Sequence, residues 1–95
     1  MPEVRDNPAR GRFELLLDDG SLAGHADYRE GPGGAVLLPH TEVDPRYEGR
    51  GYGSLLVKGT LDGLRAQGRQ VLPRCSFVSA YIARHPEYAP LLAGT

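Results

Sequence analysis

A glycine-rich stretch at residues 48–54 is the part of this sequence best suited to bind an anion. It reads Glu-Gly-Arg-Gly-Tyr-Gly-Ser, comes after an extended segment that ends at Val43, and leads directly into apolar residues with helical spacing. The first N–H groups of a helix lack intrahelical partners, and the helix dipole is positive there. Glycines let the backbone itself approach a ligand. The stretch therefore predicts a phosphate-binding turn, with a plain turn that only starts the helix as the alternative.

Three side chains near the ends of predicted strands could do chemistry. Glu42 and His40 lie two residues apart, and so on one face of a strand. Either could act as a general base or proton relay, or be an ordinary surface side chain. Cys75 directly precedes a predicted helix, where a thiol has a lowered pKa and can be nucleophilic. The alternative for Cys75 is a buried apolar filler.

Length and charge restrict the function classes. The 95 residues predict a single domain spanning 1–95. The net charge of −1 does not favour general nucleic-acid binding. The charge is uneven: residues 1–42 hold four Arg and eight acids (net −4), whereas residues 43–74 hold six Arg or Lys and three acids (net +3). The positive segment contains the glycine turn, which suits a phosphorylated ligand. Unevenly placed, solvated surface charge is the alternative.

The single cysteine excludes an internal disulfide framework and a Cys-based metal site. The three histidines have no metal-ligand spacing, so we expect no metal. No apolar run approaches the length of a membrane span, and no signal-peptide pattern occurs at the N-terminus. We therefore expect a soluble cytoplasmic protein without a membrane partner. Its small core is compatible with a monomer or a homodimer.

The elements that must position these residues follow from turn signals and periodicity. Residues 1–10 contain two prolines and several charges and predict a loose N-terminal arm, with a short extended piece within it as the alternative. Strands are predicted at 12–17, 22–29, 35–43 and 70–75, helices at 51–67 and 77–84, and a short helix or turn at 87–93. Pro39 indicates an irregular or edge position in the third strand. Gly59 and Gly63 share a helix face and would let the helix lie close to the sheet.

The predicted order is β-β-β-α-β-α. It gives an α/β (α+β) fold with a three-stranded antiparallel meander, a fourth strand parallel to the third through a right-handed crossover, and helices packed on the sheet. The glycine turn then lies at the carboxyl end of the third strand, where open α/β sheets place their ligands. A Rossmann fold is less favoured because the glycines lack G-x-G-x-x-G spacing, and no Walker motif occurs.

With these motifs, the chain resembles the GNAT superfamily of acetyl-CoA-dependent N-acetyltransferases. The signature of that family is Arg/Gln-x-x-Gly-x-Gly/Ala between a strand and a helix. Residues 48–53 match it at Gly51 and Gly53, with Glu48 in the Arg/Gln place. Residues 46–51 match it fully, but we prefer the first register because the helix follows its last glycine directly. Over about residues 12–93, the blocks at 40–43, 75–78 and 81–88 further resemble the small single-domain GNAT-like group, which has a compact GNAT-like fold.

The resemblance implies acetyl-CoA as donor, no metal, and transfer of the acetyl group to a small-molecule or protein amine. It assigns the CoA pyrophosphate to backbone N–H groups of Glu48, Gly49, Arg50, Gly51, Tyr52, Gly53 and Ser54. The strand around Val43 would pair with pantetheine, and the N–H of Val43 could stabilise the thioester oxyanion. Arg84 and His85 could contact CoA phosphates or simply close their helix.

The resemblance also suggests four catalytic candidates. Glu42 would take a proton from the amine, directly or through water, and His40 would be a base or relay. Cys75 would accept the acetyl group or protonate the leaving thiolate, and Tyr81 would be the acid for that thiolate or a core residue. Acidic residues dominate the first half of the chain, which favours a cationic acceptor. The alternative function is a non-catalytic acyl-CoA-binding or CoA-binding module, because the group lacks helices that usually line an acceptor pocket.

Overall fold

The structure, a computed structural model, describes residues 1–94. It contains one five-stranded sheet in the order β1-β2-β3-β4-β5. The strands are β1 (Glu3–Asn7), β2 (Arg12–Leu16), β3 (Leu22–Glu30), β4 (Val36–Val43) and β5 (Val71–Pro73). The helices are α1 (Tyr52–Ala66) and α2 (Ser76–Arg84), with 3-10 turns at Pro8–Arg10, Pro32–Gly34, Pro45–Tyr47 and Pro86–Leu91. Strands β1 to β4 pair antiparallel, and β5 pairs parallel to β4. The predicted meander, parallel last strand and fold class are confirmed.

The N-terminal segment is not the loose arm predicted at residues 1–10; the short extended piece that was the alternative is present and is a paired strand. Residues 3–7 form β1, which pairs along its whole length with β2. Pro8 begins a single 3-10 turn, and Gly11 reverses the chain at φ 65°. Both prolines lie outside the strand, so they remove no hydrogen-bond donor from the ladder. Charged side chains on an edge strand are a common protection against edge pairing, which explains the misleading composition.

The register of β3 and β4 shifts at Pro39, as the sequence predicted. Asp27 pairs with His40 and Arg29 pairs with Leu37, so Tyr28 alone faces two β4 residues. Proline cannot donate to the ladder, and a bulge is one of the few places where an inner strand tolerates it. The bulge separates the part of β4 that pairs with β5 from the part that continues towards the glycine turn.

One face of the sheet carries the core. Side chains from α1, α2 and the C-terminal turn share a single apolar cluster with β2, β4 and β5. Two glycines of α1 permit close approach to the sheet. A Cβ on Gly59 would lie 2.5 Å from the Val4 side chain, and a Cβ on Gly63 would lie 2.8 Å from the Phe13 ring. The predicted role of these two glycines is confirmed.

Across the residues that the structure describes, the other face of the sheet is not covered by a helix. Since successive strand residues point to opposite faces, the residues between the core positions lie on it. We call the part of this face formed by β3 and β4 the open face; it carries four polar residues that face one another across the two strands, His25, Asp27, His40 and Glu42. Within residues 1–94, no helix is long and apolar enough to cross a membrane.

Candidate functional site

The turn that connects β4 to α1 has the backbone geometry of an anion site. Asp44 accepts a hydrogen bond from the N–H of Arg46 at 2.9 Å and thereby starts the 3-10 turn. Gly49 and Gly51 follow with φ values of 78° and 75°, a conformation that costs other residues free energy. Gly51 is the N-cap of α1 and offers no capping side chain, and no acidic residue lies in the first helical turn. The N–H groups of that turn thus remain available to a ligand.

A groove begins at this turn and continues along β4. Its first part, about 300 Å³, is lined by Val43, Tyr47, Glu48, Gly49, Gly51, Gly53, Ser54 and Phe77. Its second part, about 200 Å³, is lined by Thr41, Val43, Glu48, Gly53 and Phe77. Because the two parts share four residues, they form one continuous path from the glycine turn to the edge of β4.

The end of β4 has a free edge along this groove. Pairing with β5 ends at Leu38 and Pro73, and the N–H groups of Arg74 and Cys75 both donate to the Leu38 carbonyl, at 3.0 and 3.1 Å. Beyond this point, the N–H of Asp44 donates to Ala23 of β3 at 2.8 Å. Since antiparallel hydrogen bonding alternates along a strand, the backbone groups of Thr41 and Val43 point away from β3, into the gap.

Cys75 lies at the closed end of the gap, at the N-cap position of α2. Partial burial raises the pKa of its thiol, but the N–H of Val78, the hydroxyl of Thr41 and the N–H of Phe77 lower that pKa more, so the net shift is downward. These donors stabilise the thiolate form of Cys75 relative to the thiol.

Phe77 is a groove residue that the sequence reasoning missed. Its side chain is 46% exposed although it is a large apolar ring, and it covers Gly53, where a Cβ would lie 2.9 Å from the ring edge. An exposed aromatic residue in the first turn of a helix that follows Cys75 was the available signal. The third glycine of the turn thus makes room for a side chain rather than for a positive φ.

The open face holds Glu42 between two imidazoles. Nε2 of His40 lies 3.2 Å from one carboxylate oxygen, and Nε2 of His25 lies 3.9 Å from the other. His25 also contacts Asp27 through Nδ1 at 3.0 Å. His40 and Glu42 therefore come together as predicted, but on the face of β4 opposite to the core. Sequence reasoning missed His25 and Asp27, which stand opposite Glu42 and His40 only once the pairing register of β3 and β4 is known.

The family comparison agrees with this geometry. The profile of the GCN5-related N-acetyl-transferases matches residues 12–91. The chain belongs to this family. Its fold is similar to the NMR solution structure of a GCN5-like candidate N-acetyltransferase from Staphylococcus aureus, with a TM-score of 0.71 at 20% sequence identity, over 98% of this chain and 89% of the other. At that identity the likeness shows the fold alone. No curated protein matches the chain significantly.

Two of the predicted cofactor-binding residues, Tyr52 and Arg50, lie next to Tyr47, which lines the groove. The Tyr52 ring lies 6.0 Å from that of Tyr47, and the Arg50 guanidinium lies 5.9 Å from the Tyr47 ring. Among residues 1–94 no group of three or more His, Cys, Asp or Glu side chains could hold a metal ion.

Tyr81, Arg84 and His85 lie apart from the groove. Tyr81 is 8% exposed, and its ring stacks on His85 at 4.1 Å between centroids. Burial raises the pKa of its phenol, the nearby Asp62 and Glu87 raise it further, and Lys58 opposes them. No hydrogen bond within the described part of the chain joins its hydroxyl to the Cys75 thiol. Arg84 and His85 follow at the far end of α2, about 13 Å from its first residue.

Proposed function

We propose that this GCN5-related family member binds acetyl-CoA and transfers the acetyl group to an amine. The observation that carries the proposal is the continuous groove, which starts at an uncapped helix N-terminus and ends at a strand edge that includes Thr41. Thr41 is a neighbour of the Cys75 thiol. A phosphate binds well at the helix N-terminus, and an acyl thioester on a phosphorylated carrier would use both ends of the groove.

The residues of the turn fit the CoA pyrophosphate. A Cβ at Gly49 or Gly51 would meet no atom within 4 Å, so both positions open onto space rather than onto protein. The N–H of Glu48 already donates to the Pro45 carbonyl at 3.3 Å, so the hydrogen bonds come from the N–H groups of residues 49–54, and the predicted backbone role of Glu48 is not supported. Arg50, which pairs with no carboxylate among residues 1–94, adds positive charge. Glu48 lines the groove in the place of the usual Arg or Gln, and we assign it no hydrogen bond to the pyrophosphate.

The acetyl end fits the strand edge. The outward N–H groups of Thr41 and Val43 can pair with the pantetheine amides, and a backbone N–H at this edge can stabilise the oxyanion that develops when an amine attacks the thioester. When bound, acetyl-CoA supplies the activated acyl carbon. Cys75 lies close enough to Thr41 for its thiol to serve either as the acid for the leaving thiolate or as an acyl acceptor.

The two roles of Cys75 differ in their bonds. In direct transfer, the amine nitrogen bonds to the acyl carbon, the carbon–sulfur bond of CoA breaks, and the thiol proton of Cys75 goes to the CoA sulfur; the proton that the new amide nitrogen loses restores the Cys75 thiol. In the two-step route, the Cys75 thiolate forms a new thioester and releases the CoA thiolate. The amine then attacks that thioester and releases the Cys75 thiolate, and the proton lost from nitrogen goes to the CoA thiolate. Tyr81 remains a proposal as the acid, and its contacts with His85 favour a packing role.

The acceptor amine would approach from the open face. A pocket of about 150 Å³ lies there, lined by Leu22, Ala23, Gly24, His25, Glu42, Asp44 and Pro45. Glu42 is the carboxylate that can take the amine proton, and His40 at 3.2 Å is placed to relay it to solvent. Asp44 is paired with Arg46 at 2.9 Å, so the Glu42 carboxylate is the pocket charge that favours a cationic amine, either a small molecule or a protein side chain.

A non-catalytic CoA-binding module is the second candidate. The observation that favours it is the open face, because both helices pack on the other side and leave the acceptor pocket shallow. Such a module would bind CoA in the same groove. It would leave the thioester intact in the presence of any amine.

Two measurements on the same protein separate these functions. Calorimetry with CoA and acetyl-CoA measures binding, and release of free thiol from acetyl-CoA with a panel of amines measures transfer. Binding together with amine-dependent thiol release supports the transferase. Binding without release above hydrolysis identifies the module, and the absence of binding overturns both. Cys75→Ser and Cys75→Ala then separate its roles, since unchanged turnover in both variants excludes acid or covalent catalysis by this thiol.

A further inference from the structure

We infer that Asp27, His25 and Glu42 form a proton-accepting chain on the open face, in which His25 is a positioning residue for Glu42. The inference rests on the proposed function, in which Glu42 takes the proton of the amine. It assigns a role to two residues on β3 outside the groove and outside the four catalytic candidates.

The contacts of His25 set the direction of proton transfer. His25 and Glu42 are directly opposed in the β3–β4 register. Nδ1 of His25 lies 3.0 Å from Oδ1 of Asp27, and a carboxylate only accepts hydrogen bonds, so Nδ1 carries the proton. In the neutral ring, Nε2 is then an acceptor, and it lies 3.9 Å from Oε2 of Glu42. A proton that reaches Glu42 thus finds an imidazole nitrogen ready to receive it.

His25 and His40 differ in setting, which separates their roles. The His25 side chain is only 18% exposed, whereas that of His40 is 55% exposed. His40 contacts Oε1 of Glu42, and His25 faces Oε2. Glu42 is the carboxylate that contacts His40 among the described residues, through one ring nitrogen. His25 is held through Nδ1 by Asp27, and its Nε2 faces Oε2 of Glu42 at 3.9 Å, which places the ring to orient Glu42.

The remaining charges around His25 are balanced. From β2, Glu14 stands opposite His25 in the register, and Nε of Arg12 holds that carboxylate at 2.8 Å. Arg12 itself stands opposite Asp27. Asp27 and Glu42 are therefore the two carboxylates that lie nearest to the imidazole nitrogens.

The proton transfer balances without a further reactant. The N–H bond of the acceptor ammonium breaks and an O–H bond forms on Glu42, which leaves the amine neutral for attack. That proton then moves to Nε2 of His25, so Glu42 is again a carboxylate and the ring is an imidazolium held by Asp27. Solvent at the open face removes the proton, and the chain returns to its starting state.

The test combines a ligand-free and a kinetic measurement on the full chain. Imidazole nitrogen NMR of the free protein reports the tautomer of neutral His25, which we expect to be protonated at Nδ1 and to shift towards Nε2 in Asp27→Asn. In the acetyl-transfer assay, we expect His25→Asn and Asp27→Asn to lower kcat/KM about tenfold and to move the acid limb of its pH profile by about one pH unit. Calorimetric affinity for CoA should stay unchanged.

Glu3→Gln is the matched control, because it removes a carboxylate from an exposed β1 position that contacts Arg5 and none of the three residues proposed to transfer the proton. The pH profile of this variant should equal that of the wild type. A neutral His25 protonated at Nε2 overturns the inference whether or not the protein transfers acetyl groups. An active protein whose pH profile is the same with Asp27→Asn also overturns it. If His25 has the expected tautomer but the wild type transfers no acetyl group, the proposed function is refuted, and with it the catalytic role of Asp27, His25 and Glu42.

Discussion

Replacement of Gly51 by alanine separates the anion-binding role of the glycine turn from its cost in backbone strain. Gly51 has φ 75°, and a Cβ there would meet no atom within 4 Å. The substitution is therefore opposed by conformation alone, at about 1–2 kcal/mol for a non-glycine residue in this region. A less flexible unfolded chain returns about 0.4–1 kcal/mol. The net loss of about 1 kcal/mol lowers Tm by about 4–8 °C in a domain of this size.

Gly33→Ala is the matched control. Gly33 has φ 68° and equally open surroundings, but it lies in the β3–β4 turn, at the opposite end of β4 from the groove. It should lower Tm by a similar amount. The two variants are expected to differ only in their response to CoA, because Gly51 lines the groove.

The assay is the rise in Tm on addition of CoA. At about 100 times Kd, binding stabilises the native state by about 2.7 kcal/mol, which corresponds to a rise of about 10–20 °C. Gly33→Ala should keep this rise. Gly51→Ala displaces the N–H groups of the turn, and we expect at least about tenfold weaker binding, which removes about 1.4 kcal/mol and roughly half of the rise. Equal rises in the two variants would refute the assignment of the phosphate site to this turn.

Three further predictions concern packing, pH and thiol reactivity. Gly59→Ala places a Cβ 2.5 Å from the Val4 side chain, and should cost about 1–3 kcal/mol in denaturant unfolding; an unchanged midpoint would contradict the packing of β1. Burial raises the pKa of Asp62, but the Tyr88 hydroxyl and nearby cations lower it more, so the ionised carboxylate stabilises the folded state at neutral pH and that contribution is lost as the pH falls. The Tm of the wild type should therefore decrease more steeply with falling pH than the Tm of Asp62→Asn. Cys75 should be alkylated with a pH midpoint below that of an unstructured cysteine peptide in the same assay; an equal or higher midpoint would contradict the local geometry of the thiol.

Sequence reasoning succeeded where local chemistry decides structure. The glycines around residue 51 and the helical spacing of α1 each fix their segment with few alternatives. The N-terminal arm failed because β1 is defined by its partners. Four of its five residues are charged or polar and give no clear alternation, and only the register with β2 and the packing of Val4 at Gly59 make it a strand.

The candidate site was predicted in part for the same reason. The glycine turn follows β4 and Cys75 follows β5. The sequence predicts where both strands end and that they are parallel, so it also predicts that the turn and Cys75 lie at the same edge of the sheet. The separation of Glu42 from Cys75 by the thickness of β4, the partnership of Glu42 with His25, and the cover of Gly53 by Phe77 depend on strand register and helix rotation. Those are set by packing across the sheet, which a single sequence does not display.

Glu42→Gln would show whether the open face supports catalysis. The substitution keeps the shape of the side chain and removes the proton acceptor, so kcat should fall by about 100-fold or more while the affinity for acetyl-CoA remains the same. Unchanged kcat would remove Glu42 from the mechanism, and weakened acetyl-CoA binding would instead place it on the donor side of β4.

The most direct test of the central claim is a crystal structure of the chain soaked with acetyl-CoA. The account predicts the pyrophosphate on the N–H groups of residues 49–54, the pantetheine along Thr41 and Val43, and the thioester sulfur beside Cys75. A cofactor bound on another surface, or a groove that stays empty at saturating acetyl-CoA, would contradict it.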